Sequence, residues 1–246
     1  MEFVFELART NKYDSEIMMR DYYKAVFGEE GNSRFICTVV KDGQTVECYI
    51  SSSSKLSKYL PLANCNVLIS KNERRDLRTR YTLEAVECAN VLYYVNFNKV
   101  NKLYENYLLL DEAEDRKIYK EYSVSNIIKT DFYIENHGCI EIKALLSKTN
   151  RVVFPDNSSH RLERQLLKYI ELLKRNIHVS FCFIAMSDSI NEFELNAKKE
   201  NIGDYFSKAI SLGMKIKAYS VTYEHDSFKL IGNLTLENNI LKAVSA

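Results

Sequence analysis

Asp131 stands ten residues before Glu141, and Lys143 follows Glu141 by two. Two carboxylates and one ammonium in that pattern suit phosphodiester hydrolysis. The carboxylates supply hard oxygen ligands for Mg2+ or Mn2+, and the lysine positions an attacking water or stabilises charge on the phosphate. The chemistry requires the three side chains to meet on rigid elements. Residues 130–134 (TDFYI) read as a strand, Asn136-His137-Gly138 as a tight turn, and 139–146 (CIEIKALL) as the returning strand. Glu141 and Lys143 then point to one face, because side chains alternate along a strand. Asp131 joins them from the neighbouring strand. The same spacing also fits an ordinary hairpin with charges on its solvent face.

Around this hairpin the pattern is α/β. Residues 160–176 (HRLERQLLKYIELLKRN) form a helix with Leu162, Leu166, Ile170 and Leu173 on one stripe and Ser158 or Ser159 as its cap. Residues 178–186 (HVSFCFIAM) suit a central strand covered on both faces. Residues 202–212 read as a helix ended by Gly213, and 215–223 as a closing strand, which gives a mixed sheet. The first third differs. Residues 34–40, 44–50, 66–69, 81–86 and 91–95 are short strands, with Asp42-Gly43 as a hairpin turn. They suggest a small OB-like barrel. Residues 13–26 fit helix or strand equally. Residues 101–110 turn helical, with Leu103, Tyr107 and Leu110 on one face, and the charged stretch 111–120 reads as surface helix or loop. Two domains follow, a barrel over 1–88 and an α/β domain over 89–246. No Pro/Gly linker separates them, so tight packing is expected.

A chain of 246 residues can bury a real core. Its net charge of +1 argues against a globally basic nucleic-acid binder and leaves room for a local patch. Lys71, Arg74, Arg75, Arg78 and Arg80 form such a patch, with Glu73 and Asp76 among them. These cations suit phosphate contacts, although a solvated loop has the same composition. Sequence-specific reading is not indicated, since no helix-turn-helix or zinc module is visible. The six cysteines are scattered with no C-x2-C pair, so a reduced, cytoplasmic compartment without structural zinc is expected. No apolar run of about 18 residues exists. The start, MEFVFELART, lacks the basic region of a secretory signal. Neither membrane insertion nor export is expected.

The chain resembles the sugar fermentation stimulation protein family over about residues 32–223. Asn32-Ser33-Arg34-Phe35 matches the family's N-R-F, and the basic run closes in Arg80-Tyr81-Thr82-Leu83-Glu84. Val95-Asn96 and Asn101-Lys102-Leu103 match V-N-T and P-N-x-L. Thr130-Asp131-Phe132 matches R-I-D-F, and Glu141-Ile142-Lys143 matches E-V-K. Phe154-Pro155-Asp156, with Ser159 and Arg161, matches F-P-D-A-x-T-x-R-G. The resemblance implies a mixed α+β protein, an OB-like barrel joined to a restriction-endonuclease-like PD-(D/E)xK domain. It implies DNA binding and Mg2+ or Mn2+ held by Asp131, Glu141 and the Ile142 carbonyl. Glu121 falls about where a further acidic residue would help. Arg34, Lys55, Arg161 and Gln165 join the basic run as implied nucleic-acid contacts. The chain also departs from the family. Residues 49–56 (YISSSSKL) replace H-x-P-N-T-G-R-M, with Lys55 for arginine and no glycine. Leu162 replaces a glycine. Gln165 replaces a histidine; it can hydrogen-bond but cannot serve as a general base. Arg161, Gln165 and Lys168 make one polar stripe, at i, i+4 and i+7.

Two functions fit. The first is a DNA-binding protein with a metal-dependent phosphodiesterase site, favoured by Asp131, Glu141 and Lys143. The second is a non-catalytic, sequence-independent nucleic-acid-binding regulator on a nuclease-derived scaffold, favoured by the serine run and Gln165.

Overall fold

Turn chemistry organises the first half of the chain. Asp42 and Gly43 adopt φ of 51° and 76°, the left-handed pair that a two-residue hairpin loop demands. They join neighbouring strands in register from Lys41↔Gln44 to Ile36↔Tyr49. The structure, a computed structural model, describes residues 22–32, 35–52, 54–73, 76–111, 116–156, 159–196, 201–232 and 235–236. In chain order the first strands are β1 (Tyr22–Glu30), β2 (Ile36–Lys41), β3 (Gln44–Tyr49), β4 (Asn66–Lys71), β5 (Tyr81–Cys88) and β6 (Val91–Tyr94). Their order is β3-β2-β1-β4-β5-β6, and β3 also pairs with β5. That extra pairing closes β1 to β5 into an OB-like barrel. Its interior holds Phe27, Val39, Ile50, Val67 and Leu83. The Glu30 carboxylate accepts the amides of Leu56 at 2.6 Å and Ser57 at 3.2 Å, capping the short turn Leu56–Lys58.

Two details refine the sequence reading. Of residues 13–26, which fitted helix or strand, 22–26 belong to β1 and 13–21 lie outside the described residues. The hairpin β5–β6 pairs Cys88 with Val91, so the first sheet runs on to Tyr94, past residue 88.

The second half begins with α1 (Val100–Asp111), β7 (Ile118–Val124), β8 (Ile128–Ile134) and β9 (Gly138–Leu145). Then come β10 (Arg151–Phe154), α2 (His160–Lys174), β11 (Val179–Ala185), β12 (Glu192–Leu195) and α3 (Ile202–Ser211). The strands β13 (Lys215–Glu224), β14 (Ser227–Ile231) and β15 (Thr235–Leu236) complete it. The large sheet has the order β14-β13-β11-β9-β8-β7. Its centre, β9-β11-β13, is parallel. A hairpin flanks it on each side. The central β11 is buried on both faces, as its apolar run predicts. Phe181 and Phe183 face α2 and α3; Cys182 and Ile184 face α1 and the barrel. A small parallel sheet, β10-β12-β15, has no counterpart in the sequence reading. Part of the stretch 111–120, read as helix or loop, is strand, since β7 starts at Ile118.

The Ser159 hydroxyl caps α2 by accepting the Leu162 amide at 3.3 Å. The turn before β9 lies against the residue before β11. A Cβ on Gly138 would fall 2.1 Å from the His178 carbonyl oxygen, so only glycine fits there. The two halves share a core. Ala85 and Tyr94 pack with Ile184, Met186 and Phe228, and the Tyr94 amide donates to the Met186 carbonyl at 2.7 Å. Among the described residues, no helix is long and apolar enough to cross a membrane.

Candidate active site

The site forms where β8 and β9 separate. Their ladder runs from Ile134↔Gly138 to Phe132↔Ile140. Beyond it, side chains take over the backbone partners. The Asp131 Oδ2 accepts the Ile142 amide at 2.7 Å, and the Thr130 hydroxyl donates to the Ile140 carbonyl at 2.8 Å. The Asp131 Oδ1 accepts the Asn101 amide from α1 at 3.1 Å.

Glu141 faces α2 and is buried. Its Oε1 accepts Lys143 Nζ at 2.7 Å and Gln165 Nε2 at 2.5 Å; its Oε2 accepts the Tyr169 hydroxyl at 2.6 Å. Lys143 Nζ also donates to Gln165 Oε1 at 2.9 Å. Gln165 and Tyr169 are four apart on α2, so both reach down from one side of the helix. The shared face expected of Glu141 and Lys143 is therefore present.

Burial and the nearby Glu141 carboxylate raise the Asp131 carboxyl above the ordinary range; the Ile142 amide, Asn101 and Lys143 oppose the rise. Burial and Glu141 likewise push the Tyr169 hydroxyl up, so it stays a proton donor to Glu141. One ammonium faces two carboxylates. The donor set is all oxygen and the charge is only half neutralised, which fits a hard divalent cation. Among the described residues no third Asp, Glu, His or Cys completes a cluster.

Glu121 does not join the site. It sits across from Asp131, between the pairs Lys120↔Phe132 and Tyr122↔Thr130. Its φ of 48° breaks the strand geometry, and its exposed side chain pairs with Lys129 instead. Ile142 engages the site through its N–H to Asp131. Gln165, expected among the nucleic-acid contacts, spends both ends of its amide on Glu141 and Lys143. Arg161 and Lys168 are exposed on α2. Lys71 ends β4, and Arg78 and Arg80 line a surface pocket of about 330 Å3 with Lys41. Arg78 makes a long 3.6 Å ion pair with Glu47, and the Arg80 guanidinium lies 5.9 Å from the Tyr81 ring centre. Arg34, Arg74 and Arg75 lie outside the described residues. Lys55 is exposed before the turn Leu56–Lys58. The serine run beside it lines a cleft of about 590 Å3, where Ser51, Ser52 and Ser54 of the barrel face Lys148 and Arg151 of the second half.

Sequence reasoning missed two residues of the site, Asn101 and Tyr169. Asn101 lay within the N-K-L match, although its spacing from Asp131 carries no signal. Tyr169 stands beside Ile170 and Leu166 and reads as core; the polar residue one turn earlier, Gln165, was the available clue.

The family described as "Sugar fermentation stimulation protein RE domain" matches residues 97–227, which include every residue of this site. The sugar fermentation stimulation protein homolog of Clostridium beijerinckii is 24% identical over 204 residues, 80% of this chain and 90% of that protein. The homolog of Clostridium perfringens (strain 13 / Type A) is 25% identical over 239 residues, 92% of this chain and 99% of its own. Among solved structures, SfsA of Pyrococcus furiosus in complex with Ca2+ superposes with a TM-score of 0.72 at 20% identity, covering 88% of this chain and 96% of that one. That likeness establishes a shared fold. With more than half of its length matched, the chain belongs to the sugar fermentation stimulation protein family.

Proposed function

We propose that this chain binds nucleic acid and hydrolyses phosphodiester bonds with Mg2+ or Mn2+. The observation that carries the reading is the meeting of Asp131 with the Glu141–Lys143–Gln165 hydrogen-bond set where two strands part. Asp131 and Glu141 would hold the cation. When bound, it supplies Lewis acidity and a more acidic water. The protein's own residues supply orientation. Asn101 and the Ile142 amide fix the Asp131 carboxylate, and Tyr169 fixes Glu141. Lys143, tethered by Glu141 and Gln165, keeps a proton to offer a phosphate oxygen or a water lone pair. The complex of the Pyrococcus furiosus relative with Ca2+ supports a hard-cation site here. Lys71, Arg78 and Arg80 would attract phosphates without reading bases. Six free cysteines suit a reducing compartment such as the cytoplasm.

A binding-only reading has one observation in its favour. Gln165 replaces the family's histidine, and both ends of its amide are already engaged. Titration calorimetry with Mn2+ tests the metal site. We expect one saturable site in the wild type and none in Glu141→Ala. Absence of binding to the wild type would favour the binding-only reading.

A further inference from the structure

The barrel arranges four cysteines as two cross-strand pairs. Cys37 and Cys48 oppose each other on β2 and β3, and both are fully buried. Cys65 and Cys88 lie one step beyond the Asn66↔Glu87 pair that ends the β4–β5 ladder. Their sulfurs are 2.8 Å apart. Both thiols also aim at the Pro61 carbonyl, at 2.9 Å from Cys65 and 3.5 Å from Cys88. Directly opposed residues of antiparallel strands have Cα atoms about 4.5–5.5 Å apart, a span that a disulfide fits. Access separates the two pairs. Cys65 is partly exposed, whereas Cys88 is only 4% exposed.

We propose that Cys65 and Cys88 are a reversible oxidation site for peroxides, with Cys65 reacting first and Cys88 closing the disulfide. The Cys65 thiolate attacks one peroxide oxygen. An S–O bond forms, the O–O bond breaks, and the departing hydroxide takes up a proton as water. The Cys88 sulfur then attacks Cys65 and gives up its proton. The S–S bond forms as the S–O bond breaks, and the hydroxide leaves with that proton as a second water. Two thiols and one hydrogen peroxide become a disulfide and two waters. The order follows from burial, which also pushes the Cys88 thiol up to about 12 and leaves it a poor first nucleophile. The bond would tie the start of β4 to the end of β5, the strand pair whose far end carries the basic turn.

The test treats the full folded chain with hydrogen peroxide, then alkylates it under denaturing conditions and maps peptides by mass spectrometry. A linked Cys65–Cys88 peptide is expected, with two of the six thiols protected from alkylation and released again by dithiothreitol. The oxidised protein should melt on the order of 5–10 °C higher. Cys65→Ser should leave its five remaining thiols alkylatable. The wild-type map decides the matter even if that variant folds poorly. Six alkylatable thiols after peroxide, a Cys37–Cys48 link formed first, Cys65 carried to sulfinic acid without a link, or a lower Tm would each overturn the proposal.

Discussion

The Asp131 carboxylate accepts the backbone amide of Ile142 at 2.7 Å, at the point where β8 and β9 cease to pair. One side chain thus does two jobs. It stands in for a β8 ladder acceptor to the Ile142 amide of β9, and it presents its charge beside Glu141. Asn keeps the first job and loses the second, because its carbonyl oxygen still accepts the Ile142 amide. Asp131→Asn should therefore fold normally, bind Mn2+ at least tenfold more weakly, and lose any phosphodiesterase activity by on the order of a hundredfold or more. Circular dichroism and calorimetry check the first two outcomes.

The raised Asp131 carboxyl makes metal-free stability depend on pH. Its folded state holds the proton more tightly than the unfolded chain, whose reference value is 3.8. The stability it contributes is present below that value and is lost as pH rises through the raised folded value. Mg2+ or Mn2+ should reverse the loss, because the ion binds only the folded site. Thermal unfolding over a pH series, with and without Mn2+, should show a metal-dependent gain that Asp131→Asn lacks. A wild type that gains nothing from metal would reduce the cluster to a structural hydrogen-bond network.

Tyr169 supports Glu141 from below, through the hydrogen bond at 2.6 Å. Tyr169→Phe leaves Glu141 Oε2 buried without that donor, which should cost about 1–3 kcal/mol. Urea unfolding measures it. Metal affinity should fall less than in Glu141→Ala, since the ligand itself remains.

Some of this architecture was written in local patterns and some was not. The hairpin, α2 and β11 were legible because periodicity and turn residues specify them within a few positions. The strands β10 and β12 are four residues each and pair in parallel with partners far along the chain, so no local pattern marks them. The edge strand β7 is exposed along most of its length and so lacks alternation. Glu121 illustrates a limit of ladder arithmetic. Counting residues puts it opposite Asp131, but one left-handed φ sends its side chain to Lys129. Asn101 and Tyr169 enter the site only through tertiary packing of α1 and α2, which single-sequence patterns do not encode.

Glu84 holds the junction of the two halves. It is the extra residue of a bulge between Leu68↔Ala85 and Ile69↔Leu83. The bulge turns its fully buried carboxylate to Lys99, Ser70 and Asn96. Glu84→Ala takes the buried acceptor from the Ser70 hydroxyl and the Asn96 side-chain amide and should destabilise the protein by about 1–3 kcal/mol, measured by urea unfolding.

If the basic turn contacts phosphates, binding should weaken linearly in log salt. Arg78→Ala and Arg80→Ala should each lower the slope by about 0.9 on duplex DNA, with little change between sequences. Slopes equal to wild type in both variants would remove the turn from the interface.

The most direct test of the central claim is cleavage of a labelled DNA oligonucleotide by wild type, Asp131→Asn and Lys143→Met, in Mn2+ and in EDTA. Wild type should cut only with metal. Asp131→Asn should fail at metal concentrations that saturate wild type, because it holds the ion at least tenfold more weakly. Lys143→Met should still bind Mn2+ by calorimetry and yet cut on the order of a hundredfold more slowly. Equal cleavage by all three proteins, or none by wild type at saturating metal, would contradict the account.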